Sequence, residues 1–179
     1  MPRIDPVAPT GEPSELREVF DRLRRTRGRV PTIYRILAHH PEVLIAHRAY
    51  FDAALDSGRL SRALKEKIAF RVAIVCGSSY SIASHRRYAL QHGVSEGELQ
   101  TIEQGDYSKL DERERATLEF ADEVAFARST VSNSTFHLVA QYFDSGEIIE
   151  ISAVVGVMVL ASRLGAIFDL TPDTDEAST

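Results

Sequence analysis

Four polar side chains lie close together in the sequence, at spacings that could support proton transfer: Glu66, Ser78, Ser81 and His85. The last three are three and four positions apart, so in a helix they share one face, and Ala89 on that face indicates that it points inward. Imidazole carries a proton near neutral pH, and a carboxylate in contact with it holds it in one tautomer. We therefore predict that Glu66 and His85 form a general acid–base pair; the alternative is a structural ion pair in the core.

The two serines admit fewer reactions. A serine hydroxyl does not ionise near neutral pH, so Ser78 and Ser81 cannot do the redox work of a thiol pair. Nucleophilic catalysis by Ser81 would need a base bonded to it, and His85 one turn later could be that base. Helical serines more often bond their own backbone, so we expect both hydroxyls to position substrate or water.

Several arginines are candidates for holding an anionic substrate. Arg71 and Arg86 lie near the acid–base residues in sequence, and a guanidinium can bind a carboxylate through two parallel hydrogen bonds. A denser run near the N-terminus alternates with acidic residues, which is typical of a solvated helix face, although the run could also act as an anion funnel. It comprises Arg17, Arg22, Arg24, Arg25, Arg27 and Arg29.

The chain has a single cysteine, Cys76, which excludes an internal disulfide and a cysteine-based zinc site. Its position just before Ser78 leaves two interpretations. It is either a small buried hydrophobic residue at a helix end or a redox thiol that forms a sulfenic acid. The six histidines do not fall at the spacings of zinc ligands, so we predict neither a metal nor another cofactor.

The composition is that of a soluble protein with one sizeable core. The chain has 179 residues, 44% of them apolar and 26% charged, and a net charge of −5, which argues against a nucleic-acid-binding protein. The N-terminus has no apolar signal run, and the apolar run Ile151–Ala161 falls short of the ~20 residues that a membrane-spanning helix needs. We expect a cytoplasmic protein without membrane association, in which that run forms a core or subunit-interface helix.

The elements that must position these residues are helices. Apolar residues recur at three- and four-residue steps, whereas strand-like alternation and hairpin turns are absent, so the predicted fold class is all-α. Residues 1–12 are expected to form an extended arm and residues 171–179 a disordered tail. Caps and glycines predict helices over Ser14–Thr26, Pro31–Ala38, Pro41–Ser57, Ser61–Cys76, Ser78–Gly93, Ser95–Gly105, Asp111–Ala127, Ser132–Phe143 and Asp144–Phe168. In the fifth, eighth and ninth of these, the cap could equally be the next residue, Ser79, Asn133 or Ser145.

The ordered elements resemble the carboxymuconolactone decarboxylase family, which includes the alkyl hydroperoxidase D-like proteins. The similar residues lie in and around the acid–base segment and in the last helix: Leu60, Ser61, Leu64, Glu66, Tyr80, His85, Gly93-Val94-Ser95, Glu114-Arg115-Ala116, Gly146-Glu147 and Arg163. Residues 1–4 and 30–41 also resemble members with an extra N-terminal helical region. The resemblance covers about residues 28–168. It divides the chain into an N-terminal arm and helix (1–27), a family domain (28–170) and a tail (171–179).

The resemblance carries an expectation about chemistry. In peroxidase members of this family, a glutamate and a histidine relay protons to a Cys-x-x-Cys pair, with the histidine four residues after the second cysteine. Here Glu66 and His85 match the acid and the histidine, Tyr80 matches a tyrosine common before the second cysteine, and Ser78 and Ser81 replace the cysteines. The decarboxylase branch also lacks that pair, so the resemblance implies the family's helical bundle without its peroxidase chemistry. It further implies a homo-oligomer, a trimer or a hexamer, with the active site near subunit contacts.

Three functions are therefore expected as alternatives. The first is a cofactor-free, non-redox enzyme that decarboxylates, isomerises or opens a small carboxylate or lactone, with Glu66, His85 and Tyr80 moving protons. Its substrate would be held by Ser78, Ser81, Arg71 and Arg86. The second is a degenerate peroxidase-like antioxidant protein that works through Cys76. The third is a non-catalytic oligomeric binding protein.

Overall fold

A computed structural model describes residues 2–8, 14–126 and 130–173 of the chain. All regular structure in these ranges is helical, so the predicted all-α class is confirmed. The helices are α1 (Arg17–Arg27), α2 (Thr32–Leu37), α3 (Pro41–Phe51), α4 (Arg62–Val75), α5 (Ser79–Gln91), α6 (Glu96–Gln104), α7 (Glu112–Phe126), α8 (Asn133–Val139) and α9 (Ser145–Ile167). Short 3₁₀ turns at Ser14–Leu16 and Tyr107–Lys109 precede α1 and α7.

The predicted cap residues begin helices α4 to α9 as expected, whereas α1 begins at Arg17 and not at the predicted Ser14. The first backbone N–H groups of a helix have no partner within it, so a side-chain oxygen just before the helix must accept from them. Two caps, Ser95 and Asp144, form the reciprocal capping box with a glutamate three residues later. Side-chain oxygens that accept a backbone N–H in this way belong to Ser61, Ser78, Ser95, Asp111, Ser132 and Asp144.

Helix α3 departs from its predicted course. The pattern predicts one α-helix as far as Ser57, but at Asp52 the chain changes into a π-helical turn, Asp52–Asp56. The wider turn buries Leu55 and brings the carboxylates of Asp52 and Asp56 together onto the guanidinium of Arg48. The extra residue in this turn thus gives the buried Arg48 two acidic partners.

Helix α8 ends at Val139, four residues before the predicted end at Phe143. The carbonyl of Val139 accepts backbone N–H groups from both Tyr142 and Phe143, so the chain turns in time for Asp144 to cap α9. The predicted end of α7 at Ala127 lies outside the described residues.

Helix α4 is the centre of the fold and packs against α5, α7 and α9. A helix that is apolar on most of its circumference is stable only when other elements surround it. The residues Ile68, Ala69, Phe70, Val72 and Ala73 are all fully buried. Because α4 lies in the interior, a polar side chain on it, such as Glu66, is held in place from every side.

Helix α9 is apolar along its length, yet it packs as a core helix. An 18-residue stretch of this helix has a mean hydropathy of 1.8, which would suit a membrane-spanning helix by composition. However, 50% of that stretch is buried inside the protein. Ile151 and Val154 are fully buried in the same cluster as α4, while Ile149, Leu160 and Ile167 stay exposed. Of the two predicted roles for this run, a core helix or a subunit-interface helix, the burial shows the first.

Helices α1 to α3 build a second apolar cluster over one end of α5 and α9. Phe20 and Leu23 of α1 join Tyr34 of α2, Tyr80 of α5 and Ala161 of α9 in this cluster. The N-terminal region therefore packs directly onto the helix that carries His85.

Both ends of the described chain are tied to the same region. The backbone N–H of Val7 donates to the carbonyl of Arg35, and the carboxylate of Asp173 accepts hydrogen bonds from Thr32 and, at 3.0 Å, from the Tyr80 hydroxyl. The fold thus holds the chain as far as Asp173, inside the tail predicted to be disordered. Residues 174–179 lie outside the described residues.

Candidate active site

The structure brings Glu66 and His85 into direct contact. Nδ1 of His85 lies 2.7 Å from Oε2 of Glu66, across the interface between α4 and α5. Glu66 is fully buried and His85 is only 5% exposed. The two helices can place these residues side by side because Gly77, with a φ of 66°, reverses the chain between them. The predicted contact between carboxylate and imidazole is therefore present.

The second oxygen of Glu66 is occupied by Arg62. The Nε and Nη2 of Arg62 lie 2.8 and 2.7 Å from Oε1, and its Nη1 donates to the carbonyl of Leu55. Burial would by itself raise the pKa of Glu66, but His85 and Arg62 outweigh it and hold the pKa below its ordinary value. Glu66 is therefore an ionised carboxylate near neutral pH. It accepts a hydrogen bond from the protonated Nδ1 of His85.

This hydrogen bond decides which ring nitrogen of His85 is available for chemistry. With Nδ1 donating to Glu66, a neutral imidazole carries its lone pair on Nε2. Within the described residues no hydrogen-bond partner of Nε2 is present, and His85 lines a cavity. The pair can therefore accept or release a proton at Nε2 while Glu66 stabilises the charged ring.

The two serines divide into a structural and a cavity-lining role. Ser78 caps α5 and donates from Oγ to the Oγ of Ser81 at 3.1 Å, and a side chain at Gly165 would come within 3.2 Å of it. Ser81 is buried and lines the cavity with His85, but no hydrogen bond joins the two among the described contacts. The geometry thus lacks the base-to-hydroxyl bond that a serine nucleophile requires.

The cavity is small and lies between α5 and the N-terminal helices. Its volume is about 40 Å³, enough for a few water molecules or one carboxylate group. Two imidazoles, His47 and His85, belong to its wall, together with the guanidinium of Arg27 and the rings of Phe51 and Tyr88. Residues from helices far apart in sequence therefore meet around His85.

His47 is a cavity residue that sequence reasoning did not single out for this site. It is only 8% exposed, and its Nδ1 is buried without a hydrogen-bond partner in the part of the chain that the structure describes. Burial and the neighbouring charge of Arg48 lower the pKa of His47, so its ring is neutral near pH 7. Its place four residues before Phe51, on an inward face of α3, is the one sequence signal that could have drawn attention to it.

The structure does not bring Arg71 or Arg86 to the cavity. Arg71 forms a two-pronged ion pair with Asp122, at 2.6 and 3.0 Å, and donates to the carbonyl of Ile102. Arg86 pairs with Glu96 at the surface. The prediction that Arg71 and Arg86 hold the substrate is therefore not supported, because both guanidinium groups pair with acidic side chains outside the cavity.

Tyr80 reaches the cavity with its ring but not with a free hydroxyl. The phenol donates to Asp173 at 3.0 Å and accepts the backbone N–H of Ile33 at 3.4 Å. Burial, with the charge of Asp173 beside it, raises the pKa of Tyr80 well above its ordinary value. The hydroxyl is thus committed to holding the C-terminal segment rather than facing His85.

Cys76 closes the end of α4 and is partly buried against the main core cluster. Burial raises the pKa of its thiol, so the thiol stays protonated near neutral pH and is a poor nucleophile. This environment favours the interpretation of Cys76 as a small packed hydrophobic residue. Across the described residues, no group of three or more histidine, cysteine or acidic side chains could hold a metal ion.

Solved structures share this fold over nearly the whole chain. A peroxidase-related protein from Ralstonia eutropha JMP134, an alkylhydroperoxidase AhpD core, is 21% identical with a TM-score of 0.86, over 97% of this chain and 93% of that one. A cysteine-to-alanine variant of the debrominase Bmp8, in complex with 2,3,4-tribromopyrrole, is 20% identical with a TM-score of 0.84, over 96% and 92%. A peroxidase-related protein from Silicibacter sp. TM1040 is 21% identical with a TM-score of 0.83, over 96% and 89%. The protein thus has an AhpD-like helical fold, as predicted.

The sequence profile of the carboxymuconolactone decarboxylase family matches residues 41–123, the segment that holds Glu66, Ser78, Ser81 and His85. The comparison with curated proteins gave no match. The resemblance to this family that was seen in the sequence is therefore confirmed over residues 41–123.

Proposed function

We propose that this chain is a cofactor-free, non-redox enzyme that moves protons on a small carboxylate or lactone. The observation that supports the proposal is the 2.7 Å contact between Glu66 and Nδ1 of His85, which, among the described residues, leaves Nε2 free on a residue that lines a cavity. Replacement of the family's cysteine pair by Ser78 and Ser81 removes the redox step and keeps the proton relay.

The chemistry needs only one proton carrier. In a decarboxylation, the bond to the carboxylate carbon breaks, CO₂ leaves, and the electron pair stays on the substrate as an enolate. Protonated His85 gives its Nε2 proton to the substrate carbon from which CO₂ has left, and the neutral ring takes a proton from water before the next turnover. Glu66 stabilises the charged ring in between. In an isomerisation, the same nitrogen removes a proton from one position and returns it at another.

A panel of small carboxylates and lactones tests the proposal on metal-free protein, with CO₂ release and substrate absorbance as readouts. 2,3,4-Tribromopyrrole joins the panel because the structurally similar debrominase binds it. His85→Ala is expected to lower kcat by about 10²–10⁴-fold, the range for one general acid–base group. His92→Ala, at the exposed end of the same helix, is the matched control and leaves kcat unchanged. A panel with neither turnover nor a ligand-induced rise in Tm would overturn the proposal.

A non-catalytic binding protein is the second candidate, because the cavity of about 40 Å³ is small for a substrate. It predicts that a ligand raises Tm without being consumed, and that His85→Ala leaves its affinity intact. A peroxidase-like function is disfavoured because Cys76 is a protonated thiol without a partner cysteine.

We further propose that the protein is a cytoplasmic homo-oligomer, a trimer or a hexamer. Support comes from the exposed apolar side chains along α9, Ile149, Leu160 and Ile167, which a second copy could cover. Light scattering of the purified chain tests this. Leu160→Glu is expected to give a smaller species, whereas a wild-type monomer at all concentrations would contradict the assembly.

A further inference from the structure

Arg27 is the last residue of α1, and its guanidinium belongs to the wall of the cavity that His85 lines. It lies 4.6 Å from the ring centroid of Tyr88 and 5.5 Å from that of Phe51. Cation–π contacts of this kind hold a guanidinium in place without neutralising its charge. Arg27 is therefore a positioned positive charge beside the candidate acid–base pair.

Arg27 forms no direct ion pair among the described residues, and the charge of Asp56 acts on it only from beyond ion-pair distance. Arg22 lies 3.1 Å from Asp52, and the buried Arg48 lies 3.2 Å from Asp56. For Arg27, no carboxylate lies within ion-pair distance in the part of the chain that the structure describes. A partly buried guanidinium that forms no direct ion pair can bind an anion brought from outside.

The rest of the wall favours the same kind of ligand. Among the described residues, no acidic side chain lines the cavity: its polar residues are Arg27, two histidines, two serines and three tyrosines. Glu66 is fully buried behind His85, and Arg62 balances its charge. The described lining of the cavity therefore contains a positively charged side chain and no negatively charged one.

The unpaired, buried Nδ1 of His47 independently indicates a ligand in the same cavity. Its Nδ1 is buried with no hydrogen-bond partner among the described residues, and its ring lines the cavity. Buried polar atoms are nearly always satisfied, so an orphan at a cavity wall indicates a ligand or water there. A neutral imidazole can donate from this nitrogen to a carboxylate oxygen.

We propose that Arg27 and His47 bind the carboxylate group of the substrate and so set the specificity of the cavity for small monocarboxylates. This assignment rests on the proposed function for the role of His85 but not for binding itself. The cavity of about 40 Å³ accepts a carboxylate group while Arg27 stays stacked on Tyr88 and Phe51. It replaces Arg71 and Arg86, whose guanidinium groups are paired elsewhere, as the anion-binding group.

Calorimetric titration with acetate tests the assignment, in a buffer free of other carboxylates and of phosphate. Wild type is expected to bind acetate saturably and not to bind acetamide, its neutral counterpart. Arg27→Gln lowers the affinity at least about tenfold, as expected for the loss of hydrogen bonds to a charged group. Arg25→Gln removes the same charge from an exposed position on the same helix and leaves the affinity unchanged. Arg27→Lys gives a second test if the glutamine variant folds poorly, and it also weakens binding because lysine lacks the planar fork.

The outcomes separate this inference from the proposed function. Acetate binding that depends on Arg27 and survives His85→Ala supports the inference even if no substrate turns over. Equal affinity in wild type and Arg27→Gln, or an equal loss in Arg25→Gln, would overturn it. If a substrate is found, Arg27→Gln raises its KM more than it lowers kcat, and an unchanged KM would refute the assignment while leaving the enzyme proposal standing.

Discussion

Oε2 of Glu66 accepts a hydrogen bond from Nδ1 of His85 at 2.7 Å, while Arg62 holds the other oxygen of the same carboxylate. The three residues form a line of hydrogen-bonded charged and polar groups, from the partly exposed guanidinium of Arg62 through Glu66 to His85 at the cavity. Because each oxygen of Glu66 has its own partner, the imidazole is fixed in orientation, and Nε2 is its free nitrogen among the described contacts.

Glu66 makes the free energy of unfolding depend on pH in acidic solution. Its pKa is lowered in the folded protein relative to an ordinary value of 4.5, so the stability it contributes is complete above 4.5 and is lost as pH falls through the folded-state pKa. We expect Glu66→Gln to lower the free energy of unfolding at pH 7 by about 3 kcal/mol, because Arg62 and His85 lose their charged partner. Urea unfolding at pH 7 and pH 3 measures both effects. A variant with the same acid dependence as wild type would contradict the assignment.

Lys67 is buried between Glu98 and Glu114, at 2.6 and 2.5 Å. Burial opposes ionisation of Glu98, but the contacts with Lys67 and Ser95 lower its pKa from an ordinary value of 4.5 to about 2. The stability that the charged Glu98 contributes is therefore complete above pH 4.5 and is lost as the pH falls towards 2. Lys67→Met is therefore expected to destabilise the protein more at pH 7 than at pH 3. Urea unfolding at the two pH values checks this.

The control for that experiment is Lys109→Met, which removes the same charge from an exposed position. It should change stability little at either pH. Equal losses for the two lysine variants would mean that net charge, and not the buried cluster, sets the effect.

Tyr80→Phe separates a catalytic from a structural tyrosine. The hydroxyl donates to Asp173, so its removal is expected to cost about 1 kcal/mol of stability and to speed proteolysis of the C-terminal segment. The kcat on any substrate found should stay within about twofold of wild type, since the hydroxyl makes no contact with His85. A large fall in kcat with an unchanged KM would restore Tyr80 as a proton donor.

Cys76→Ser tests the thiol. Because burial raises the pKa of Cys76, we expect almost no peroxide consumption with a dithiol reductant, in wild type and in the variant alike. A stopped-flow assay of hydrogen peroxide loss provides the measurement. Activity in wild type that disappears in Cys76→Ser would revive the peroxidase-like alternative.

Local signals in the sequence predicted the helices well, because caps and stop glycines act within a few residues. Ser61, Ser95 and Asp144 each satisfy a backbone N–H three residues away, so their effect is readable without the fold. The change of α3 into a π-helical turn was not predictable in this way. It depends on Arg48 gathering Asp52 and Asp56, and on Leu55 meeting a core built from distant helices.

The sequence by itself determined the all-helical class, the family resemblance and the pairing of Glu66 with His85, because these follow from short-range spacing and from residue types at matched positions. Only the tertiary structure decided which arginine lines the same cavity as His85. Charged side chains are long and go to whichever partner the packing provides, so Arg71 turned to Asp122 and Arg86 to Glu96. Arg27 and His47, far from His85 along the chain, reached its cavity because α1 and α3 fold over α5.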